Sequence, residues 1–244
     1  DYLDLGYTSM FYDQPFEVGP DYGRADASPE RTHHEALERI REVREVLLAA
    51  DPDAIVTGEE CDVFAQDAVD MWMSWSISQP TAASTAAIMR YSIPHTMLSW
   101  VIDHEPERAA IAFALGMNMC LMIHGGEGTL ADEPELATLI GQMADLRERT
   151  AARTTCARFM DTAGLDIDAN EALLAFSYDS PEGPAVIVGA PGKPAAGRIA
   201  VDRDAFSAPG GDGLLFALDG STKPVQGDTY EFSLDANEVA VWVL

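Results

Sequence analysis

Hydrophobic and polar residues follow two different patterns along the chain, and the pattern changes near residue 157. Before that point, short apolar runs alternate with longer segments whose apolar residues recur at helical spacing. We predict strands at 6–13, 54–58, 71–77, 97–102 and 117–123. Helices are predicted from Pro29 to Ala50, over 81–87, 105–115 and 132–153. Alternating strands and helices of this kind predict an α/β fold with a parallel sheet.

After residue 157 the helical spacing disappears, and short apolar runs are separated by Gly, Pro and Asp turns. This pattern is typical of an all-β antiparallel sandwich. The predicted strands are 173–178, 185–188, 198–201, 214–218, 230–234 and 239–243. We therefore divide the chain into an α/β domain at 1–155 and a C-terminal β-sandwich domain at 156–244.

Right-handed crossovers allow the five strand–helix units to form either an open sheet or five-eighths of a closed barrel. A long helix followed directly by a small β-sandwich is the arrangement found in barrel glycosidases, and it favours the barrel. We predict strands four to eight of a (β/α)8 (TIM) barrel. The N-terminal half of the barrel would then lie on a missing segment or on a second chain, because a partial barrel leaves strand edges exposed.

Two acidic residues stand at the tips of successive predicted strands. Asp13 follows the apolar run that starts at Gly6, and Glu59 follows the run at 54–58. Ligands of parallel α/β proteins bind outside the carboxyl ends of the strands. For Asp13 alone, a turn-capping role and a functional role are about equally plausible. The second acid on the neighbouring strand favours the functional interpretation, since two such side chains can face one pocket.

These residues resemble the retaining α-glycosidases of the α-amylase superfamily and related barrel families, including the endo-α-N-acetylgalactosaminidases. In those enzymes a nucleophilic Asp ends strand four and an acid/base Glu ends strand five, often just after a Gly. The run from Gly6 to Asp13 resembles the first motif, and Thr57-Gly58-Glu59 resembles the second. The segment 103–108, Asp-His-Glu-Pro-Glu-Arg, loosely resembles the strand-seven motif.

Two departures separate the chain from the amylases proper. Phe11 stands where the amylase motif has an Arg, and Glu105 stands where the strand-seven motif has an Asp. The resemblance still implies a glycoside hydrolase that acts on α-linked carbohydrate with retention. Asp13 would be the nucleophile and Glu59 the general acid and base. Because consecutive strand residues point to opposite sides, only one of Glu59 and Glu60 can face the pocket, and the motif match favours Glu59.

Several other residues are candidates for substrate contacts. They flank the two acids, or they lie in the later segments that resemble the family: Tyr12, Gln14, Glu60, Arg90, Asp103, His104 and His124. Structural roles remain open for most of them. His104 fits a structural histidine equally well, and Arg90 is more often an ion-paired arginine inside a barrel at a strand entry.

The charge excludes some classes of partner. The chain has 41 acidic and 15 basic residues, a formal charge of −26, and its only lysines are Lys193 and Lys223. Such a surface repels the phosphates of nucleic acids and of anionic membranes. An acidic surface poor in lysine is also typical of a protein that works in high salt, where screening removes self-repulsion.

No metal or cofactor is predicted. The three cysteines have no metal-ligand spacing, although a structural calcium in the acidic segment 61–70 stays open. The first residue is Asp1 rather than Met, so we make no prediction of compartment. Two alternatives to a glycosidase remain: a non-catalytic carbohydrate-binding or structural subunit completed by another chain, and an open-sheet metal-dependent hydrolase that uses the same acids.

Overall fold

A computed structural model describes residues 6, 9–12, 31–59, 65, 67–74, 88–92, 97–121, 129–155, 157–207 and 212–244. At positions 33 and 74 it describes the backbone only. The first part of the chain contains strands β1 (Met10–Tyr12), β2 (Val56–Glu59), β3 (Met71–Ser74), β4 (Met97–Ile102) and β5 (Asn118–Leu121). Its helices are α1 (Arg31–Ala50), α2 (Pro106–Ala114) and α3 (Pro134–Thr154), with a short helical stretch at 88–92.

The second part contains nine strands in the described residues. They are β6 (Arg158–Asp161), β7 (Leu165–Ala169), β8 (Leu174–Asp179), β9 (Ala185–Gly189), β10 (Ala195–Val201), β11 (Gly213–Ala217), β12 (Thr222–Val225), β13 (Thr229–Leu234) and β14 (Val239–Val243). Short 3-10 turns lie at Leu130–Asp132 and Arg203–Ala205.

The five strands of the first part form one parallel sheet in the order β1-β2-β3-β4-β5. Strands that follow one another in sequence are therefore neighbours in space, as in a barrel wall. Helix α1 buries Leu37, Ile40 and Leu47, the apolar face that its sequence spacing predicts. Arg44 on this helix pairs with Asp70, whose carboxylate also accepts the N–H of Val56 at 2.9 Å and so fixes the start of β2.

The second part is a sandwich of two antiparallel sheets. One has the order β12-β11-β14-β9-β8-β6, and the other has the order β13-β10-β7. Their facing sides enclose a core that includes Val186, Ile199, Phe232 and Trp242. This confirms the prediction of a partial barrel followed by a β-sandwich.

Helices α2 and α3 lie against the six-stranded sheet. Phe113 of α2 and Leu146 of α3 belong to the same hydrophobic cluster as Ile187 and Val241 of the sandwich. The Tyr178 hydroxyl donates to the Ala114 carbonyl oxygen across this contact, at 2.9 Å. The division into domains at residues 155 and 156 stays a prediction, because one continuous core joins the two parts.

None of the helices in the described part of the chain is both long and apolar enough to cross a membrane.

Candidate active site

The candidate site lies at the carboxyl edge of the parallel sheet, where β2 ends at Glu59. Glu59 is 7% exposed, and Asp179 is the one other acidic residue that is buried among the described residues. Asp179 lies on β8 of the sandwich, far along the chain from this edge. Its place at the carboxyl end of a parallel strand, where ligands of such sheets bind, makes Glu59 the strongest candidate for chemistry among the described residues.

The register of β1 and β2 defines which residues share a face with Glu59. Phe11 pairs with Thr57, and Tyr12 pairs with Gly58. Side chains alternate along a strand and align between paired residues. Phe11, Thr57 and Glu59 therefore lie on one face of the sheet, and Tyr12 and Gly58 lie on the other.

Tyr12 is consequently not brought to Glu59, and its role as a substrate contact stays a prediction. Its ring packs against the hydrophobic core, and burial raises the pKa of its hydroxyl. The alternation of strand side chains is the physical reason: a residue next to a catalytic acid on a strand points the other way.

A close contact between Gly58 and Trp72 holds the strand that carries Glu59. The two residues pair across β2 and β3, and the six-membered ring of Trp72 covers Gly58. A Cβ atom at position 58 would lie 2.7 Å from the Cζ3 atom of Trp72. Trp72 is fully buried and has no room to withdraw. The Gly of the Thr-Gly-Glu motif thus has a packing role in addition to its match with the family pattern.

A second polar cluster follows the end of β4 at the same edge of the sheet. His104 contacts a carboxylate on each side: Nδ1 is in close contact with Oε1 of Glu133, and Nε2 lies 3.5 Å from Oδ1 of Asp103. That Asp103 oxygen is buried and makes no hydrogen bond within the described residues. Glu105, the acid of the strand-seven-like motif, is instead paired with Arg108 at 2.8 Å.

Sequence reasoning missed Glu133. It lies 29 residues after His104 and belongs to no motif that the sequence shows. An acidic residue just before a helix is common, because the helix N-terminus favours negative charge, so its position alone gave no signal.

Arg90 does not reach this edge. It lies in the helical stretch 88–92 rather than at a strand entry, and its guanidinium donates to the carbonyl oxygens of Leu115 and Gly116. It also lies over the Phe159 ring, 6.0 Å from its centre. These two carbonyls come just before β5 and so lie at the amino edge of the sheet, opposite the carboxyl edge that carries Glu59. Arg90 thus packs between the barrel part and the sandwich in this structure, and its role as a substrate contact stays a prediction.

Four candidates lie outside the described residues: Asp13, Gln14, Glu60 and His124. The structure therefore brings together Asp103, His104 and Glu133, and places Glu59 two strands away at the same edge. Within the described residues, no group of three or more His, Cys, Asp or Glu side chains is arranged to hold a metal ion.

No protein-family model matches the sequence, and no curated protein sequence matches it. Solved structures do match the fold. Isomaltulose synthase from Klebsiella sp. LX3 superimposes with a TM-score of 0.63 at 10% identity, over 99% of this chain and 66% of that one. An α-amylase from Geobacillus thermoleovorans, complexed with acarbose, superimposes with a TM-score of 0.56 at 11% identity, over 84% of this chain and 56% of that one.

A GH27 β-L-arabinopyranosidase from Geobacillus stearothermophilus gives a TM-score of 0.58 at 9% identity, over 99% of this chain and 59% of that one. The chain thus spans between 56% and 66% of the length of these three proteins. Identities this low show likeness in fold alone. In fold, the chain is part of a (β/α)8 barrel followed by an antiparallel β-sandwich, the architecture of α-amylase-type glycoside hydrolases.

Proposed function

We propose that this chain carries the catalytic acids of a retaining glycoside hydrolase that acts on α-linked carbohydrate. The observation that carries the proposal is the buried Glu59 at the carboxyl end of β2, on the strand next to β1. The glycosidase folds that the chain resembles, including an α-amylase complexed with acarbose, support carbohydrate as the substrate class.

Asp13 is proposed as the second acid. It follows Tyr12, whose register partner is Gly58, and Gly58 precedes Glu59. If the pairing of β1 with β2 continues by one residue, Asp13 and Glu59 become neighbours on one face of the sheet. Adjacent strands lie about 4.8 Å apart. That spacing suits the roughly 5–5.5 Å between the two carboxyl groups of a retaining enzyme.

The proposed reaction has two steps. In the first, the Asp13 carboxylate attacks the anomeric carbon while Glu59 gives its proton to the departing glycosidic oxygen, which leaves a covalent glycosyl-enzyme. In the second, Glu59 takes a proton from water as that water attacks the same carbon and releases Asp13. Glu59 would thus act first as the general acid and then as the general base.

The remaining polar residues of this edge are proposed to bind sugar hydroxyls. His104 offers an imidazole ring that is 46% exposed, and Asp103 offers Oδ2, since its Oδ1 is buried. Gln14, Glu60 and His124 keep their role as proposed substrate contacts on the basis of the sequence alone. No metal or organic cofactor enters the proposed chemistry.

Further parallel strands are proposed to complete the barrel, from a missing segment or from a second chain. Among the described strands, β1 and β5 each have a neighbour on one side only. Phe11 on β1 is 49% exposed, and Leu121 on β5 is 42% exposed. Large apolar side chains on open strand edges favour coverage by further strands.

The test is hydrolysis of a panel of aryl α-glycosides by the intact protein and by two variants, Asp13→Asn and Glu59→Gln. Each change removes one carboxyl group and keeps the side-chain shape, so we expect kcat to fall by about a thousandfold or more in both. Glu45→Gln on the exposed side of α1 is the matched control and should keep full activity.

Full activity in both Asp13→Asn and Glu59→Gln would refute the proposal. Loss of activity in Glu60→Gln with Glu59→Gln unaffected would contradict the assignment of Glu59. Activity that a chelator removes and added metal restores would instead support a metal-dependent hydrolase. An intact protein that binds α-linked oligosaccharides but hydrolyses none of them would support a non-catalytic subunit.

A further inference from the structure

The contact between His104 and Glu133 connects two distant parts of the chain at the carboxyl edge of the sheet. His104 follows β4, and Glu133 lies between a 3-10 turn and α3. Oε1 of Glu133 is in close contact with Nδ1 of the imidazole. An ionised carboxylate only accepts hydrogen bonds, so this contact requires the proton to be on Nδ1.

Glu133 is rigidly held by its backbone. Its N–H donates to the Leu130 carbonyl oxygen at 3.1 Å, and its own carbonyl oxygen accepts the N–H of Ala137 at 2.9 Å. The preceding turn is fixed by Asp132, whose carboxylate accepts the N–H of Thr129 at 2.6 Å. A carboxylate on such a support can fix the orientation of an imidazole ring.

The Glu133 side chain does not take the local partners that its position offers. It occupies the N-cap position of α3, a helix of 21 residues, yet it makes no side-chain capping hydrogen bond. Glutamate is not among the residues that usually cap a helix, because the short side chains of Ser, Thr, Asp and Asn suit that position. The Glu133 side chain reaches the His104 ring instead of the first helical turn.

The other ring nitrogen, Nε2, is left for a ligand when Nδ1 donates to Glu133. It lies 3.5 Å from Oδ1 of Asp103, an oxygen that is buried and out of reach of a sugar hydroxyl. The His104 side chain itself is 46% exposed. With a single proton held on Nδ1, Nε2 can accept a hydrogen bond from a sugar hydroxyl, whereas the opposite tautomer would present an N–H there.

We propose that Glu133 is a positioning residue, which holds His104 in the Nδ1–H tautomer so that Nε2 can accept a hydrogen bond from a sugar hydroxyl. The part of this inference that concerns catalysis rests on the proposed glycosidase activity. The tautomer of His104 does not depend on that activity and can be measured separately.

The kinetic experiment compares Glu133→Gln with Glu133→Leu in the intact protein, on an aryl α-glycoside that the wild type hydrolyses. Gln keeps an oxygen that accepts the Nδ1 proton, so most activity should remain. Leu keeps the bulk without an acceptor, so kcat/KM should fall about 10- to 100-fold through loss of ring orientation. Glu135→Leu removes an equally negative, exposed residue two positions further on and should leave kcat/KM unchanged.

The spectroscopic experiment measures the imidazole 15N shifts. The chain has five histidines, and a His104→Gln variant identifies the signals of His104. We expect Nδ1 to be protonated in the wild type and in Glu133→Gln, and the proton to move toward Nε2 in Glu133→Leu. A wild-type ring protonated only on Nε2, or a tautomer unchanged in Glu133→Leu, would overturn the inference. Full activity in both Asp13→Asn and Glu59→Gln would refute the proposed catalytic acids alone and leave the 15N result standing.

Discussion

At the scale of single residues, Gly58 packs against a core tryptophan and directly precedes the candidate catalytic acid. Its missing side chain leaves space for the Trp72 ring, and the next residue is the buried Glu59. A methyl group there would push either the ring or the strand, and both are enclosed by the core. The strand tip that presents Glu59 therefore depends on the absence of a Cβ atom one residue earlier.

We predict that Gly58→Ala lowers the free energy of unfolding by about 1–3 kcal/mol, the usual cost of overpacking a core. Denaturant unfolding of the intact protein measures this change. Gly141→Ala is the control, because nothing lies within 4 Å of its Cβ position in α3. Alanine should raise helix stability there by up to about 1 kcal/mol. Equal stability changes in the two variants would show that the Trp72 contact has no effect.

Asp179 gives the second prediction at this scale. Burial works against its charge, but the hydroxyl and N–H of Ser207 and the Arg158 guanidinium outweigh it, so its pKa lies below the ordinary 3.8. The folded state thus binds the proton less tightly than the unfolded state. Its stabilising contribution is complete above pH 3.8 and is lost as the pH falls through the lowered pKa.

Asp179→Asn should therefore destabilise the protein at neutral pH by about 1–3 kcal/mol and weaken its loss of stability in acid. Thermal or denaturant unfolding between neutral pH and pH 3 measures both effects. Asp235→Asn, an exposed carboxylate on the same sandwich, serves as the control. A wild-type-like pH dependence in Asp179→Asn would contradict the assigned role.

Among single residues, the sequence predicted Glu59 from its place after an apolar run and a glycine. It could not predict Glu133, because the loop and helix that bring it to His104 are set by tertiary packing. Arg90 lies in one helical turn rather than at a strand entry, because apolar and polar spacing does not distinguish the two. Strand alternation places Tyr12 on the opposite face of the sheet from Glu59.

At the scale of elements, helix α3 attaches the barrel part to the sandwich through arginines. Arg149 donates to the carbonyl oxygens of Gly220 and Ala217 at 3.1 and 3.0 Å, and its guanidinium lies 5.8 Å from the centre of the Phe216 ring. Arg153 contacts the Leu244 carbonyl oxygen. In a chain with few basic residues, these arginines are used for contacts between the two parts.

We predict that Arg149→Ala lowers the free energy of unfolding by about 1–2 kcal/mol, through loss of two charged hydrogen bonds and the ring contact. Arg149→Lys should recover only part of this, since an ammonium group cannot match the planar fork. Arg39→Ala, which removes an exposed pair with Glu42 on α1, should cost about 0.5 kcal/mol or less. An equal cost for Arg39 and Arg149, measured by denaturant unfolding, would contradict the role of α3 as an anchor.

Element prediction was most accurate where the pattern was strongly apolar. Strands β9 and β14 are buried along their whole length, and their positions followed from continuous apolar runs. Strand β7 was missed because its sequence Leu-Asp-Ile-Asp-Ala lies at a sheet edge and is largely exposed. Strand β12 was missed because it contains Pro224, which is tolerated on an edge strand. Strand β6 was missed as well, since it is short and contains a bulge between Phe159 and Asp161.

At the scale of the whole molecule, the charge of −26 is the property that packing does not explain. Self-repulsion of this size opposes the compact state at low ionic strength. We predict that the free energy of unfolding of the intact protein rises as a monovalent salt is added, because a Debye length of about 3 Å at 1 M screens the surface charges. Stability that stays flat or falls between low and high salt would contradict this.

The alternation of strands and helices predicted the overall architecture, because each unit carries its own apolar pattern. The sequence could not show which residues of the barrel edge meet in space, since those contacts join strands that loops of variable length connect. The proposed function therefore depends most on two acids, Asp13 and Glu59.

The most direct measurement is the separation of the Asp13 and Glu59 carboxyl groups in a crystal structure of the intact protein. The proposed retaining mechanism predicts two carboxyl groups on the same face of the sheet, roughly 5–5.5 Å apart and open to one pocket. Carboxyl groups that point to opposite faces of the sheet, or that lie too far apart to flank one glycosidic bond, would contradict it.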